Sequence, residues 1–377
     1  MDPQRKTTPG PMAPSSVKTA RKSFAITNTY IKSSKPDKEI VSVHTNTPHI
    51  ERRTFNTEEN QIYQGEVNVL SIIETNKVIM CCKYTEDAND VAAGFTDGTI
   101  RVFSCSTGKC MHTLVDDECR AYPGPVTAIK HRAVSKAHPI TNMLLSSYVN
   151  GCIKCWKYKY DQCLYTIREK RQTLGLTYHP RLSKFITYGD DAKLNMYDEE
   201  AQTDVQKKNL VDGHTSRIFA CTFNPRSHHE LISGGWDDTV ICWDDRQPYA
   251  TRYFGGVHMC GEGLDFDKPG RQILTCSWQE NNCIQIWDYG SCKLIETIVP
   301  DNYQSKLYCG KIVPHTNLIV CAGSDSNVLR VVDINMKVVS LKKIKKAPES
   351  YHKISEIQSV PRVAYVTGKR IQTVDFG

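Results

Sequence analysis

The sequence predicts an all-β protein built from seven consecutive antiparallel meanders, and three observations carry that expectation. Apolar and polar residues alternate in short runs with the period of a half-buried strand. Turn residues, such as Asn224-Pro225 and the Asp237-Asp238 corner, separate the runs. An aromatic or aliphatic residue closes every third run, at Phe103, Trp156, Tyr197, Trp243, Trp287, Val332 and Val374, with successive gaps of 53, 41, 46, 44, 45 and 42 residues. The last five of these are each followed by Asp, at Asp198, Asp244, Asp288, Asp333 and Asp375. A fixed period of that length marks a repeat architecture in which each unit must stack on its neighbours to bury its faces.

The fourth copy, Gly213 to Asp245, is the fullest. It opens on Gly-His, passes through three strand-like runs and closes on Trp243-Asp244. Those marks resemble one WD-repeat, and the resemblance implies a seven-bladed β-propeller whose blades are four-stranded antiparallel sheets.

The elements follow in order. Residues 1–35 hold seven Lys or Arg against one acid, Asp2, which is nearly all of the chain's formal +7. A Pro/Ser/Thr-rich segment of that kind has little to bury and reads as a disordered, solvated tail. Weak contact with nucleic acid or another polyanion is the sharper alternative. Residues 36–68 show no clear pattern beyond a short alternation at 40–45. Val69–Ile73 then reads as a strand ahead of the first full copy, 78–115. The second copy, 125–167, carries an insertion between Ala133 and Asn142 that accounts for the gap of 53 residues. The third supplies three runs over 173–198. The fifth and sixth span 263–299 and 306–343. The seventh, 352–377, has only three runs. A three-stranded blade leaves an exposed edge, so the strand at 69–73 is expected to complete it and close the ring against 350–377. The domain plan is therefore a tail over 1–35 and a propeller over 36–377.

Composition fits a globular chain, with 40% hydrophobic and 24% charged residues. No apolar run reaches the roughly 18 residues of a membrane span. Pro3, Pro9, Pro11 and Pro14 stand where a signal peptide would need an apolar core. The expected setting is therefore intracellular, cytoplasmic or else nuclear. Most of the sixteen cysteines fall inside strands, where a reduced thiol acts as a small apolar residue. Cys152-x-x-Cys155 is such a case, because strand positions three apart point to opposite faces and do not share a metal.

The WD-repeat resemblance further implies a hydrogen-bonded set in the fourth copy, running from Asp237 through His214 and Ser233 to Trp243. Other copies keep fragments: an acid at Asp97, Asp191 and Asp325, or Asn150 and Asn281 in its place. The resemblance also directs attention to one face of the ring. Its partner-binding positions map here to Thr96, Val149, Asp190, Trp236 and Glu280 before the turns, and to Pro125, Gln172, Arg217, Cys260 and Lys306 at the first strands. Trp236 and Arg217 are of the types that dominate interaction hot spots.

No phosphate loop, His-Glu-x-x-His or nucleophile-elbow motif occurs, so neither an enzyme nor a cofactor or metal is expected. His228-His229-Glu230 lies in a polar loop and reads as a solvated turn. The expectation is a scaffold that docks a protein or peptide partner, as a subunit of a larger complex. The alternative is a nuclear or nucleic-acid-associated module using the tail and the Lys342–Lys346 patch.

Overall fold

The computed structural model describes residues 67–376 apart from position 137 and the stretches 200–202, 207–212, 300–304, 325–327, 336–338, 344–350 and 357–361. The expected tail, residues 36–66 and the patch residues 344–346 lie outside the described residues.

Twenty-eight strands form seven antiparallel four-stranded sheets, making a seven-bladed propeller. Blade 1 comprises Ile79–Tyr84, Asp90–Phe95, Ile100–Ser104 and Cys110–Leu114. Blade 2 runs from Val126–Lys130 to Gln162–Arg168, blade 3 from Thr173–Tyr178 to Thr203–Gln206, and blade 4 from Ile218–Phe223 to Ala250–Gly255. Blade 5 runs from Leu264–Phe266 to Leu294–Ile298 and blade 6 from Leu307–Ile312 to Val339–Lys343. Blade 7 takes its inner three strands from Tyr351–Glu356, Arg362–Thr367 and Arg370–Phe376. Its outer strand is Val67–Glu74, which pairs antiparallel with Arg370–Phe376 in the register Val67↔Phe376 to Glu74↔Arg370. Both ends of the propeller thus meet in one sheet.

The residue that closes each third strand has the same job in every blade. It packs on the preceding blade. Phe103 joins Ala364, Val366 and Ile371 of blade 7. Trp156 lies among Ala92 and Val102 of blade 1, Tyr197 with Leu145 and Ile153 of blade 2, and Trp243 with Ile186 and Tyr188 of blade 3. Trp287 stacks on Phe254 of blade 4 at 4.2 Å between centroids. Val332 and Val374 do the same against blades 5 and 6. Sheets packed face to face need one large apolar residue at each interface, and that need produces the sequence period.

Four strands were expected of every blade, but two elements were not located from the sequence. Blade 3 has a fourth strand, Thr203–Gln206, whose Thr-Asp-Val-Gln composition carries no apolar signal. A short helix, Asp117–Ala121, enters blade 2, capped by Asp116 accepting from the Cys119 amide at 2.8 Å. The insertion before Asn142 is anchored on blade 1, where Glu86 accepts from the amides of Thr141 and Asn142 and from the Thr141 hydroxyl.

Candidate interaction face

One feature of the first strands governs what reaches the face of the ring. In blades 1, 2, 3, 4, 6 and 7 the pairing of the first strand with the second skips one residue near its start. A bulge of this kind re-aims a side chain. The skipped residues include Phe219, between Ile218↔Gly235 and Ala220↔Gly234, and Tyr308, between Leu307↔Gly323 and Cys309↔Ala322.

A second recurrence marks the turn after each second strand. The amide of Thr96 donates to Val78, Val149 to Pro125, Asp190 to Gln172, Trp236 to Arg217, Trp278 to His258 and Ser324 to Lys306. These six bonds define equivalent positions around one face. Blade 5 therefore places Trp278 and His258 where the sequence spacing pointed to Glu280 and Cys260. Its turn is longer, which displaces a count made from Asn281. In blade 6 the position is Ser324; Asp325 itself lies outside the described residues.

Together the face residues of blades 4 to 6 form an arc of aromatic rings with a cation at each end. The Arg217 guanidinium lies 5.3 Å from the centroid of Trp236. Trp236, 41% exposed, contacts Phe219 at 5.4 Å and stacks on His258 at 6.1 Å. Trp278, next to His258 through its backbone bond, packs on Tyr308 at 4.2 Å. Lys306 closes the arc 5.9 Å above Trp278 and 3.5 Å from Glu280. Burial, followed by the nearby Cys260 thiol, raises the Tyr308 hydroxyl above its usual range, so it stays a neutral donor. Thr96, on blade 1, and Gln172 with Asp190, on blade 3, stand outside this arc. Asp190 accepts from the Gln172 amide at 3.0 Å.

Beneath the face, blade 4 holds a connected set of polar side chains. Trp243 Nε1 donates to Ser233 Oγ at 2.8 Å, and Ser233 Oγ lies 2.7 Å from His214 Nε2. His214 Nδ1 lies 2.9 Å from Asp237 Oδ2. Indole is a donor only, which frees the Ser233 proton for His214 Nε2 and leaves Nδ1–H for Asp237. Asp237 also accepts from the Thr215 amide and the Thr239 hydroxyl. Burial opposes its ionisation, but the hydrogen bond from His214 and these further donors hold its carboxyl down at about 2. Fragments recur. Trp156 donates to Ser146 at 2.9 Å and Trp287 to Thr275 at 3.2 Å. Asp97, Asn150 and Asp191 each accept from the amide two residues on.

Blade 3 solves the same problem with other residues. Arg171 bonds the turn Asp191 at 2.7 Å and Thr187 at 2.7 Å, linking turn to strand as His214 does in blade 4. Glu169 neutralises it and also accepts from Tyr197 at 2.7 Å. Burial works against the Glu169 charge, yet Arg171 and the hydroxyls around it keep the carboxyl below the usual range.

The opposite end of the ring opens into a central cavity of about 1040 Å³ lined by the ends of the first strands, including Lys83, Lys130, Thr222, Asp265 and Lys311. Two of its lysines are paired within the protein, Lys130 to Glu262 at 2.9 Å and Lys311 to Asp265 at 3.5 Å. His229 bonds Asp245 at 2.7 Å, while His228 contacts the His179 ring at 6.1 Å. Among the described residues there is no group of three or more His, Cys, Asp or Glu placed to hold a metal, and no helix long and apolar enough to cross a membrane.

Comparison with known proteins agrees with this geometry. A family model described as WD domain, G-beta repeat, matches residues 205–244, the fourth copy. The chain is 26% identical to Periodic tryptophan protein 2 of Arabidopsis thaliana over 44% of its own length and 17% of that protein. It is 25% identical to Cilia- and flagella-associated protein 52 of Chlamydomonas reinhardtii, covering 59% of this chain and 41% of the relative. A Ribosome biogenesis protein WDR12 homolog from Culex quinquefasciatus is 27% identical over 36% of this chain and 30% of its own length. The chain thus spans well under half of each of these relatives.

Proposed function

We propose that this seven-bladed propeller, whose residues 205–244 match a WD repeat, is a non-catalytic scaffold that docks a protein segment on the arc running from Arg217 to Lys306. The observation that carries this reading is the exposed Trp236 with the Arg217 guanidinium on its face. Trp and Arg are among the residues most enriched at interface hot spots, and Trp236 continues into a run of neighbouring rings where a lone exposed aromatic would carry no meaning. The arc is also rigid. Its rings sit on bulges and turns fixed by backbone bonds, so binding costs little ordering of the site. The relatives' names speak of tryptophan periodicity, cilia and flagella, and ribosome biogenesis, which share no single chemistry. Display of a surface within a larger intracellular assembly is a role that suits all three.

The test is affinity capture with intact protein and Trp236→Ala, followed by titration with the captured partner. Loss of about 2 kcal/mol or more of binding is expected, with the melting temperature unchanged. Unchanged affinity in both Trp236→Ala and Arg217→Ala removes the site from this face.

A nuclear, nucleic-acid-associated role is the second reading, favoured by the ribosome biogenesis name of one relative. It would use the basic residues of 1–35 and Lys342–Lys346, whose side chains lie outside the described residues. Salt separates the two readings. Phosphate contacts weaken steeply between about 50 and 200 mM salt, whereas binding anchored on Trp236 changes little.

A further inference from the structure

Blade 4 meets blade 5 at two thiols. Cys242 is fully buried on the third strand of blade 4, and its sulfur lies 3.9 Å from that of Cys292 in the last turn of blade 5. Cys292 is only half-buried, and the neighbouring Gly290 and Ser291 are exposed. Its backbone is in the left-handed region, at φ 56. The matching turn of blade 1 has the same bond, from the Gly108 amide to Ser104 as from the Cys292 amide to Asp288, and there the residue is glycine, at φ 69. A cysteine thus occupies a position that favours glycine, and backbone strain of this kind marks functional positions. Arg252 is a third, independent feature. It faces Cys242 across the sheet, so a fixed positive charge stands beside this thiol.

We propose that Cys242 and Cys292 are a reversible oxidation site, which a hydroperoxide converts to a disulfide joining blades 4 and 5. Cys292 reacts first, because it is the thiol that solvent reaches, while burial pushes the Cys242 thiol up to about 12. The Cys292 thiolate attacks one peroxide oxygen, the O–O bond breaks, and the other oxygen leaves as water or alcohol after taking a proton. The resulting sulfenic acid faces Cys242. Attack by the Cys242 sulfur forms the S–S bond and breaks the S–O bond, and the hydroxyl leaves as water with the Cys242 proton. Two thiols thereby give two electrons and two protons to one hydroperoxide. The Arg252 charge favours the Cys242 thiolate as it attacks. The sulfurs must close by about 2 Å to reach bonding distance, a movement within the range of the exposed turn. A small thiol reductant reverses the reaction by exchange. Cys276 and Cys321 also approach each other between blades 5 and 6, but both are fully buried and no oxidant reaches them.

The experiment uses the full chain, titrated with hydrogen peroxide, digested without reductant and read by mass spectrometry. A peptide pair linking Cys242 to Cys292 is expected, returning to free thiols with dithiothreitol. The oxidised protein should melt several degrees higher than the reduced one. Cys292→Gly keeps the turn that blade 1 already uses, and it should lose both the linked peptide and the shift. The wild-type digest decides the question without any variant. Cys292 carried to the sulfinic acid with Cys242 still free, or linkage to other cysteines instead, overturns the proposal.

Discussion

His214 has a fully buried side chain, and both of its ring nitrogens are engaged, one by Asp237 and one by Ser233. Removing the ring leaves the Ser233 hydroxyl and the Asp237 carboxylate short of a partner. His214→Ala is therefore expected to cost roughly 1–3 kcal/mol, read as a lower midpoint in urea unfolding. The acid dependence has a definite sign. The Asp237 carboxyl is lower in the folded protein, about 2, than in the unfolded chain, 3.8. Its contribution is therefore full above about pH 4 and fades as the pH falls toward 2, since protonation favours the unfolded state there. The difference in stability between wild type and His214→Ala should shrink over that window. In blade 3 the exchange of His for Arg171 changes the risk. Arg171→Met strands the Glu169 charge, whose side chain is only 3% exposed. A loss of about 3–5 kcal/mol is expected, larger than that for His214→Ala, and equal losses would show that Glu169 is not held by Arg171.

Closure of the last blade depends on one pairing, Val67–Glu74 with Arg370–Phe376. A chain ending before Arg370 loses the strand that joins Arg362–Thr367 to Val67–Glu74, together with Ile371 and Val374, which are fully buried. Circular dichroism on heating should then show a broad, non-cooperative transition, and a truncated protein melting like the intact one would exclude this closure. The closing strand was legible in the sequence because the seventh copy lacked a strand and an unassigned apolar run stood ahead of the first. Thr203–Gln206 was not legible, because the outer strand of a blade is wet and needs no apolar face. The face was read partly. Arg217 directly precedes the first strand of blade 4 and Trp236 directly follows the second, whereas blade 5 has a longer lead into its first strand, which displaces His258, and a longer turn after its second, which displaces Trp278. The matched runs Leu-Ile-Ser-Gly-Gly-Trp236 and Leu-Thr-Cys-Ser-Trp278 carry the signal, since Trp follows the second strand in both. Arg171 escaped for another reason: spacing shows where a His should be, but gives no sign that a pair of charged residues can replace it.

Seven apolar clusters, one at each interface between neighbouring blades, hold the described ring together. Such packing links each blade only to its neighbours, so nothing in it opposes distortion of the ring across its diameter. The Lys130–Glu262 pair does. Lys130 ends the first strand of blade 2, Glu262 leads into blade 5, and their side chains meet at 2.9 Å although 132 residues separate them. Both are mostly shielded, 22% and 10% exposed, so solvent screens the pair less than it would a surface bridge. Each partner also offsets the other's charge in the channel. Loss of either should therefore be felt well beyond its own blade. Lys130→Met and Glu262→Gln, made singly and together, form a cycle that isolates this link. A coupling of about 0.5–3 kcal/mol is expected, with the double variant less destabilised than the sum of the singles. Strict additivity would show that the ring keeps its shape through neighbour packing alone and that the pair merely fills the channel.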